Sequence, residues 1–207
     1  MVYQRTLKNS FSLQGKGLHT GLNIHITFNP APENYGYKIR RVDIPGKPII
    51  NALAENVTAT QRGTVVSANG VNVSTVEHAM AALYACEIDN CLIDVDGPEF
   101  PILDGSSILY VSKIKEVGTE IQNTAREYIS IKRKKIKVVD KATGSSMILI
   151  PDESFSIESH ISFNSTFLKR QDATMHDLSE FPKDFASART FVFVKEIESL
   201  LNNNLVK

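Results

Sequence analysis

The stretch Ser74-Thr75-Val76-Glu77-His78-Ala79-Met80-Ala81-Ala82-Leu83, "STVEHAMAAL", decides how the rest of the chain is read. Ser74 followed three residues later by Glu77 has the form of a capping box, so a helix is expected to begin here. At about 100° per residue, Val76, Met80 and Leu83 form one stripe, and His78 falls about 200° from Val76 on a face shared with Ala82 and Ala85. A helix that is apolar nearly all round is normally buried, and its alanines let another element approach closely. An adjacent Glu and His are costly to bury without partners. On these two residues alone the simpler reading is local: Glu77 serves as a cap and His78 is a core histidine bonded to backbone.

The flanking segments supply a sheet. "LNIHITF" places Leu22, Ile24, Ile26 and Phe28 on one face and Asn23, His25 and Thr27 on the other, a half-buried strand with His25 in solvent. "GKGLHTG" before it reads as a tight loop between two strands, and Pro30, Pro32 and Gly36 mark turns ahead of another strand, "YKIRRVDI". After the helix, "NCLIDVDG" is a strand that ends at Gly97-Pro98. "PILDGSSILYVSKIKEVG" is a second helix, with Asp104 or Ser106 near its N-cap and Gly118 past its end. Strands, helix, strand, helix is an α+β layer arrangement.

The polar "TEIQNTARE" is expected to separate this half from a second run of strands, "YISIKRKKIKVVD", "MILIP" and "FSIESHISF". Phe155, Ile157, Ile161 and Phe163 alternate there with polar residues, and His160 takes an outward position. The basic run from Lys132 to Lys135 reads as a solvated strand face. "ITFNPAPENYGYKIRRV" and "MILIPDESFSIESHISF" share a strand, a proline-bearing turn and a second strand, a weak internal duplication. Lys195 to Leu201 reads as a short helix, and nothing in the second half matches the helix pair that completes the first. The expected organisation is an α+β domain over residues 1–126 and an incomplete second α+β domain over residues 127–207, so that the chain reads as a fragment.

Composition narrows the function. The 207 residues carry 23 Lys plus Arg against 23 Asp plus Glu. That zero balance argues against a nucleic-acid binder resting on a basic surface, while leaving room for a local basic pocket for one phosphorylated ligand. "MVYQRTLKNSFSLQ" has no apolar signal-peptide core, and no run approaches the roughly 20 apolar residues needed to span a bilayer. Cys86 and Cys91, both in apolar stretches, read as buried free thiols rather than as metal ligands or a disulfide. A cytoplasmic protein is the simplest expectation. A catalytic zinc takes three protein ligands and a water, but no HExxH pattern occurs and His19, His25, His160 and His176 are not spaced to complete a site locally.

Three motifs occurring in order change the balance: "QRTLKNSFSLQGKGLHTG", "STVEHAMAALYACEIDNCLIDVDGPEFPILDGSS" and "SARTFVF". Together they closely resemble the bacterial UDP-3-O-acyl-N-acetylglucosamine deacetylases of lipid A synthesis, over nearly the whole chain. The resemblance implies two α+β domains of similar topology, each a sheet on two helices, with zinc in the cleft between them. It implies that His78 binds zinc, that Glu77 is the general base acting on a water, and that the Thr190 hydroxyl steadies the oxyanion. Phe191 then lines the sugar and acyl site, His19 lies near the cleft, and Phe163 matches an aromatic near the nucleotide end. The alanine face of the helix would admit the second domain.

One departure is serious. The family's other two zinc ligands come from a later H-x-x-x-D helix that these 207 residues lack, as they lack its second catalytic His. The remaining ligands are therefore expected beyond Lys207, with the chain ending inside an inserted acyl-passage unit. The expected full-length activity is zinc-dependent hydrolysis of the N-acetyl group of a UDP-linked acylated glucosamine, releasing acetate. The fragment alone is expected to be inactive. Transient membrane-surface contact and a fused acyl-carrier-protein dehydratase domain are further expectations of the resemblance. The rival readings are a noncatalytic UDP-sugar or lipid-binding module and a structural fragment in which Glu77 and His78 only cap and pack.

Overall fold

Alternation along the central strands is what builds the first layer. The computed structural model describes residues 1–132, 134–163, 165 and 167–194. Residues 1–126, with the segment from Phe181 onward, form one compact unit, and residues 127–180 form another. The predicted helix at Lys195 to Leu201 lies outside the described residues.

The first unit begins with β1 (Tyr3–Leu7), β2 (Phe11–Lys16) and β3 (Asn23–Pro30), followed by β4 (Tyr37–Arg41) and β5 (Ile49–Asn51). A small three-stranded sheet comes next, from β6 (Val57–Ala59), β7 (Val65–Ala68) and β8 (Val71–Val73). Helix α1 (Glu77–Ala85), β9 (Cys91–Val95), α2 (Ile108–Val117) and β10 (Thr119–Ala125) complete it. The main sheet runs β2-β3-β9-β4-β5, with β9 antiparallel to β3 and parallel to β4. A parallel neighbour demands a long crossover, and here everything from β5 to α1 lies within it. Ile24, Ile26 and Phe28 of β3 and Cys91, Ile93 and Val95 of β9 are buried, while His25 is exposed as its position in the alternation requires. Leu22 is exposed, because the strand starts one residue after it.

The helices close the second layer. Ala79, Ala82 and Leu83 of α1 and Tyr110, Val111 and Ile114 of α2 join one core with the buried strand residues. Phe28 stacks on Phe11 at 4.7 Å between ring centroids and meets the Tyr110 ring edge-on at 5.7 Å. The close approach offered by the alanines of α1 is taken up by α2 and by the turn at Phe181–Phe185, with Ala186 buried in the same core. Cys86 and Cys91 are free thiols, and burial pushes the Cys91 thiol up to about 12.

The polar segment expected as a separator is instead a strand. β10 pairs antiparallel with β1, and amide side chains hold it in place of apolar ones. Buried Asn90 donates to Gln4 Oε1 at 2.8 Å and to Gln122 Oε1 at 2.7 Å, and its own Oδ1 accepts the Gly36 N–H at 2.8 Å. A strand secured by hydrogen bonds at an edge leaves no hydrophobic alternation to read.

The second unit consists of two hairpins. β11 (Ile136–Val139) pairs with β12 (Ser146–Leu149), and β13 (Ile157–Ile161) with β14 (Gln171–Met175). Lys132, Lys134 and Lys135 are exposed but precede β11 rather than lying on a strand. Phe155, Ile157 and Ile161 are exposed, and Met175 is the one buried apolar residue among the described residues of this unit. His160 points outward, with Nδ1 2.5 Å from Asp172 of the paired strand.

Candidate functional site

Helix α1 does not start by the expected capping box. The Ser74 N–H donates to the Pro98 carbonyl and the Phe100 N–H to the Ser74 carbonyl, both at 3.0 Å, so Ser74 is tied into a parallel bridge with Glu99. Thr75 then turns the chain at φ 59°, a region a β-branched residue rarely occupies. Val76 is the N-cap, with no side-chain cap bond. The bridge and the turn together remove Ser74 from the helix mouth. Glu77 is thereby released from capping, and its Oε2 instead accepts the Thr64 N–H at 2.9 Å.

Gly63 marks where the site residues meet. A Cβ placed on it would lie 3.6 Å from Glu77 Oε1, 3.6 Å from Thr75 Oγ1 and 3.7 Å from His19 Nε2. Three side chains, two from the turn into α1 and one from the loop after β2, thus face one position that carries no side chain. Glu77 and His78, at the first turn of α1, are half-buried, whereas Ala79, Ala82 and Leu83 further along are fully enclosed. Burial pushes the Tyr110 phenol up, and the negative charge of Glu77 adds to the effect, so the field of Glu77 reaches the core beneath it.

His19 is placed through its backbone. Its N–H donates to both oxygens of Glu99, at 3.0 and 3.2 Å. The Thr20 N–H and hydroxyl donate to Glu99 Oε2 at 2.9 and 2.8 Å, and the Thr75 hydroxyl donates to Oε1 at 3.1 Å. Glu99 is 0% exposed. Sequence reasoning misses both Glu99 and Thr75. A signal exists for the first: an acid inside the otherwise apolar "GPEFPIL" must be partnered if it is buried. For Thr75, whose backbone angle matters, there is no sequence signal.

Thr190 is tied to the segment that leads into α2. Its N–H donates to the Gly105 carbonyl at 2.9 Å, and the Ser107 N–H donates to the Ala186 carbonyl at 3.0 Å. The Ser107 hydroxyl in turn donates to the His78 carbonyl at 2.9 Å. Ser106, one of the two expected caps of α2, accepts the Ile108 N–H at 3.2 Å, while Asp104 accepts from Ser106 rather than from the helix. The Ser106 hydroxyl, helped by Arg189 at 3.4 Å, holds the Asp104 carboxyl below its usual range. Phe191, 60% exposed, meets Phe193 edge-on at 5.7 Å. Phe163 belongs to the other unit, where it is half-buried and its carbonyl accepts the Ser165 N–H at 2.8 Å.

Metal ligands are a separate question. A catalytic zinc takes three protein ligands, and among the described residues no group of three His, Cys, Asp or Glu gathers in a way that could hold a metal. The described residues therefore do not by themselves fit a zinc, and His78 offers one nitrogen at most. No helix among them is long and apolar enough to cross a membrane.

Comparison with known proteins agrees with this architecture. The model of the UDP-3-O-acyl N-acetylglycosamine deacetylase family matches residues 4–207. The chain is 58% identical to the bifunctional enzyme LpxC/FabZ of Bacteroides thetaiotaomicron, over all 207 of its residues but 45% of that protein. It is 38% identical to the UDP-3-O-acyl-N-acetylglucosamine deacetylase of Geotalea uraniireducens, covering 99% of this chain and 66% of the relative. The corresponding enzyme of Citrifermentans bemidjiense is 40% identical, with 99% and 67% covered. The chain thus spans about half the length of the bifunctional relatives it matches. With an α+β sheet and helix pair, a strained turn before Glu77 and a family match along all but its first three residues, the chain belongs to the UDP-3-O-acyl N-acetylglycosamine deacetylase family.

Proposed function

We propose that the full-length protein hydrolyses the N-acetyl group of a UDP-3-O-acyl-N-acetylglucosamine, releasing acetate and a free glucosamine amine for lipid A synthesis in the cytoplasm. The observation that carries this reading is the grouping of Glu77 and His19 around Gly63, with Glu77 free of the capping role that would otherwise explain it. The family membership supplies the substrate class.

In this reading residues 1–126 are the first α+β domain and residues 127–207 begin a second in chain order, with the chain entering an acyl-passage unit, even though the segment from Phe181 groups with the first unit. Glu77 accepts the proton of the attacking water, and the bond from Thr64 N–H to Oε2 fixes which way the carboxylate faces. The Thr190 hydroxyl donates to the oxyanion that forms as the amide carbonyl is attacked. A donor so placed contributes about 2.7–4 kcal/mol in other hydrolases. Phe191 and Phe163 contact the sugar, acyl and nucleotide parts of the substrate, and His19 borders the cleft. His78 would give a zinc one ligand, the others lying outside these 207 residues, and the metal would supply Lewis acidity.

Glu77→Gln in the full-length protein tests the reading, because it removes the basic carboxylate while keeping an oxygen to accept from Thr64. Turnover is expected to fall on the order of 10²–10⁴-fold with zinc content unchanged. Activity near that of the unaltered enzyme would return the chain to the noncatalytic binding reading. His78→Ala, assayed by elemental analysis, is expected to abolish stoichiometric zinc.

A further inference from the structure

We propose that Glu99 is the positioning residue of this site: its buried carboxylate clamps the Gly17–Thr20 loop to Thr75, so that His19 and Glu77 are held around Gly63 as one unit. The clamp rests on the proposed roles of Glu77 and His19 and adds what sets their mutual placement.

Glu99 has no solvent-exposed surface, and the groups bonded to it are donors: the N–H groups of His19 and Thr20 and the hydroxyls of Thr20 and Thr75. These donors come from two segments far apart in sequence, the loop between β2 and β3 and the turn before α1. A charged acceptor makes stronger hydrogen bonds than a neutral one, and in a buried site those bonds are worth more again.

Close packing enforces the arrangement. A Cβ on Gly17 would overlap both Glu99 Oε2 and Thr20 Oγ1, so the loop reaches the carboxylate only because residue 17 has no side chain. On the other side, Thr75 is 4% exposed and sits at φ 59°, where a β-branched residue is strained. Strain of that kind persists only when surrounding contacts over-determine it, and the bond from Thr75 Oγ1 to Glu99 is one such contact. Two residues later comes Glu77, whose carboxylate direction follows from where the turn ends. Glu99 accepts from the backbone of His19 and from the hydroxyl of Thr75, in the turn that delivers Glu77.

The neighbouring bridge between Ser74 and Glu99 ties the turn before α1 to the segment after β9 through backbone bonds and the Ser74 hydroxyl, none of which uses the Glu99 carboxylate. Removing the carboxylate is therefore expected to loosen the site without dissolving the sheet.

The test uses the full-length, zinc-loaded protein and two independent readouts. In Glu99→Gln the amide NH2 must face donors already present, so amide hydrogen exchange of His19, Thr20 and Thr64 should accelerate about 10–100-fold, while the amides of β9 keep their protection. Thr64 is the decisive position, because its N–H bonds to Glu77 and not to Glu99. In parallel, kcat should fall by about 10–100-fold with KM changed less than about threefold, as expected when reacting groups are misplaced while substrate binding is kept. Thr75→Val should reproduce both effects more weakly, and Thr75→Ser, which keeps the hydroxyl, should behave like the unaltered protein. That pair carries the test should Glu99→Gln not fold.

Unchanged exchange at Thr64 in Glu99→Gln, or in Thr75→Val should that pair be needed, would overturn the clamp. Faster exchange with unaltered kcat would overturn its link to the chemistry. Failure of the deacetylase reading itself looks different: Glu77→Gln would then leave turnover intact, while the exchange response to Glu99→Gln would still report the clamp.

Discussion

The two units of this chain start from similar sequence patterns and end with different interiors. In the first, the alternating residues of β3 and β9 are fully buried because two helices cover the sheet. In the second, the alternating Ile157 and Ile161 of β13 remain exposed, as do Ile136, Val138, Met147 and Ile148 of the hairpin before it. Alternation specifies that a strand has an apolar face. It does not supply the layer that covers it, and an isolated two-stranded hairpin has none. The difference also sorts the candidate residues. Those held by tertiary hydrogen bonds, His19, Glu77 and the Thr190 backbone, belong to the covered unit, and Phe163 belongs to the other.

The sharpest way to break this contrast is to truncate one side chain in each unit. Phe28→Ala removes a ring that is 1% exposed and packed on Phe11 and Tyr110, and is expected to cost about 3–5 kcal/mol in denaturant unfolding. A loss below about 1 kcal/mol would mean that the core of the first unit is looser than its burial implies. Asn90→Ala comes next. It leaves Gly36 N–H without its acceptor and undoes the bonds to Gln4 and Gln122, at an expected cost of about 1–3 kcal/mol. The loss should be accompanied by faster amide exchange in β10, whose only strand partner is β1 among the described residues.

Ile148→Ala, on the exposed hairpin, is expected to change stability by less than about 0.5 kcal/mol. A cost near that of Phe28→Ala would show that the second unit's strand face is covered in the full-length protein, and the contrast would then belong to this length of chain alone.

The smallest expected effect is a pH dependence at the Thr190 segment. The Asp104 carboxyl lies below its usual range because of the Ser106 hydroxyl and, after it, Arg189. A group depressed on folding stabilises above its unfolded value and loses that contribution as pH falls through the folded one. Protection of the Thr190 amide, which bonds to Gly105, should thus be constant at neutral pH and weaken only below the ordinary carboxylate range. Loss of protection at about pH 7 would point to a different holding group, since histidine and not a depressed carboxyl titrates there.

Much of the first unit is legible in residues alone. "NIHITF" and "CLIDV" state their buried faces outright, Gly118 ends α2 at φ 77° where glycine is at ease, and "GKGLHTG" holds the β2–β3 loop apart from its first two residues, which end β2. β10 is not legible because amide bonds secure it. The capping box at Ser74 and Glu77 is legible and wrong, since both residues find stronger partners at a distance: the backbone of Pro98 and Phe100 for one, the Thr64 N–H for the other.

By itself, then, the sequence determined which residues are apolar together, where the helices and central strands run, and, through three ordered motifs, the family. Those are local properties: side-chain period, turn chemistry and residue identity all act within a few positions. Only the tertiary structure decided that Glu77 does not cap its own helix, that Thr75 is turned to a positive φ, and that a buried Glu99 gathers His19, Thr20 and Thr75. The physical reason is that a buried carboxylate must be satisfied by whatever donors the fold brings to it. Here the donors lie 24 to 80 residues away along the chain, well beyond the reach of any local pattern.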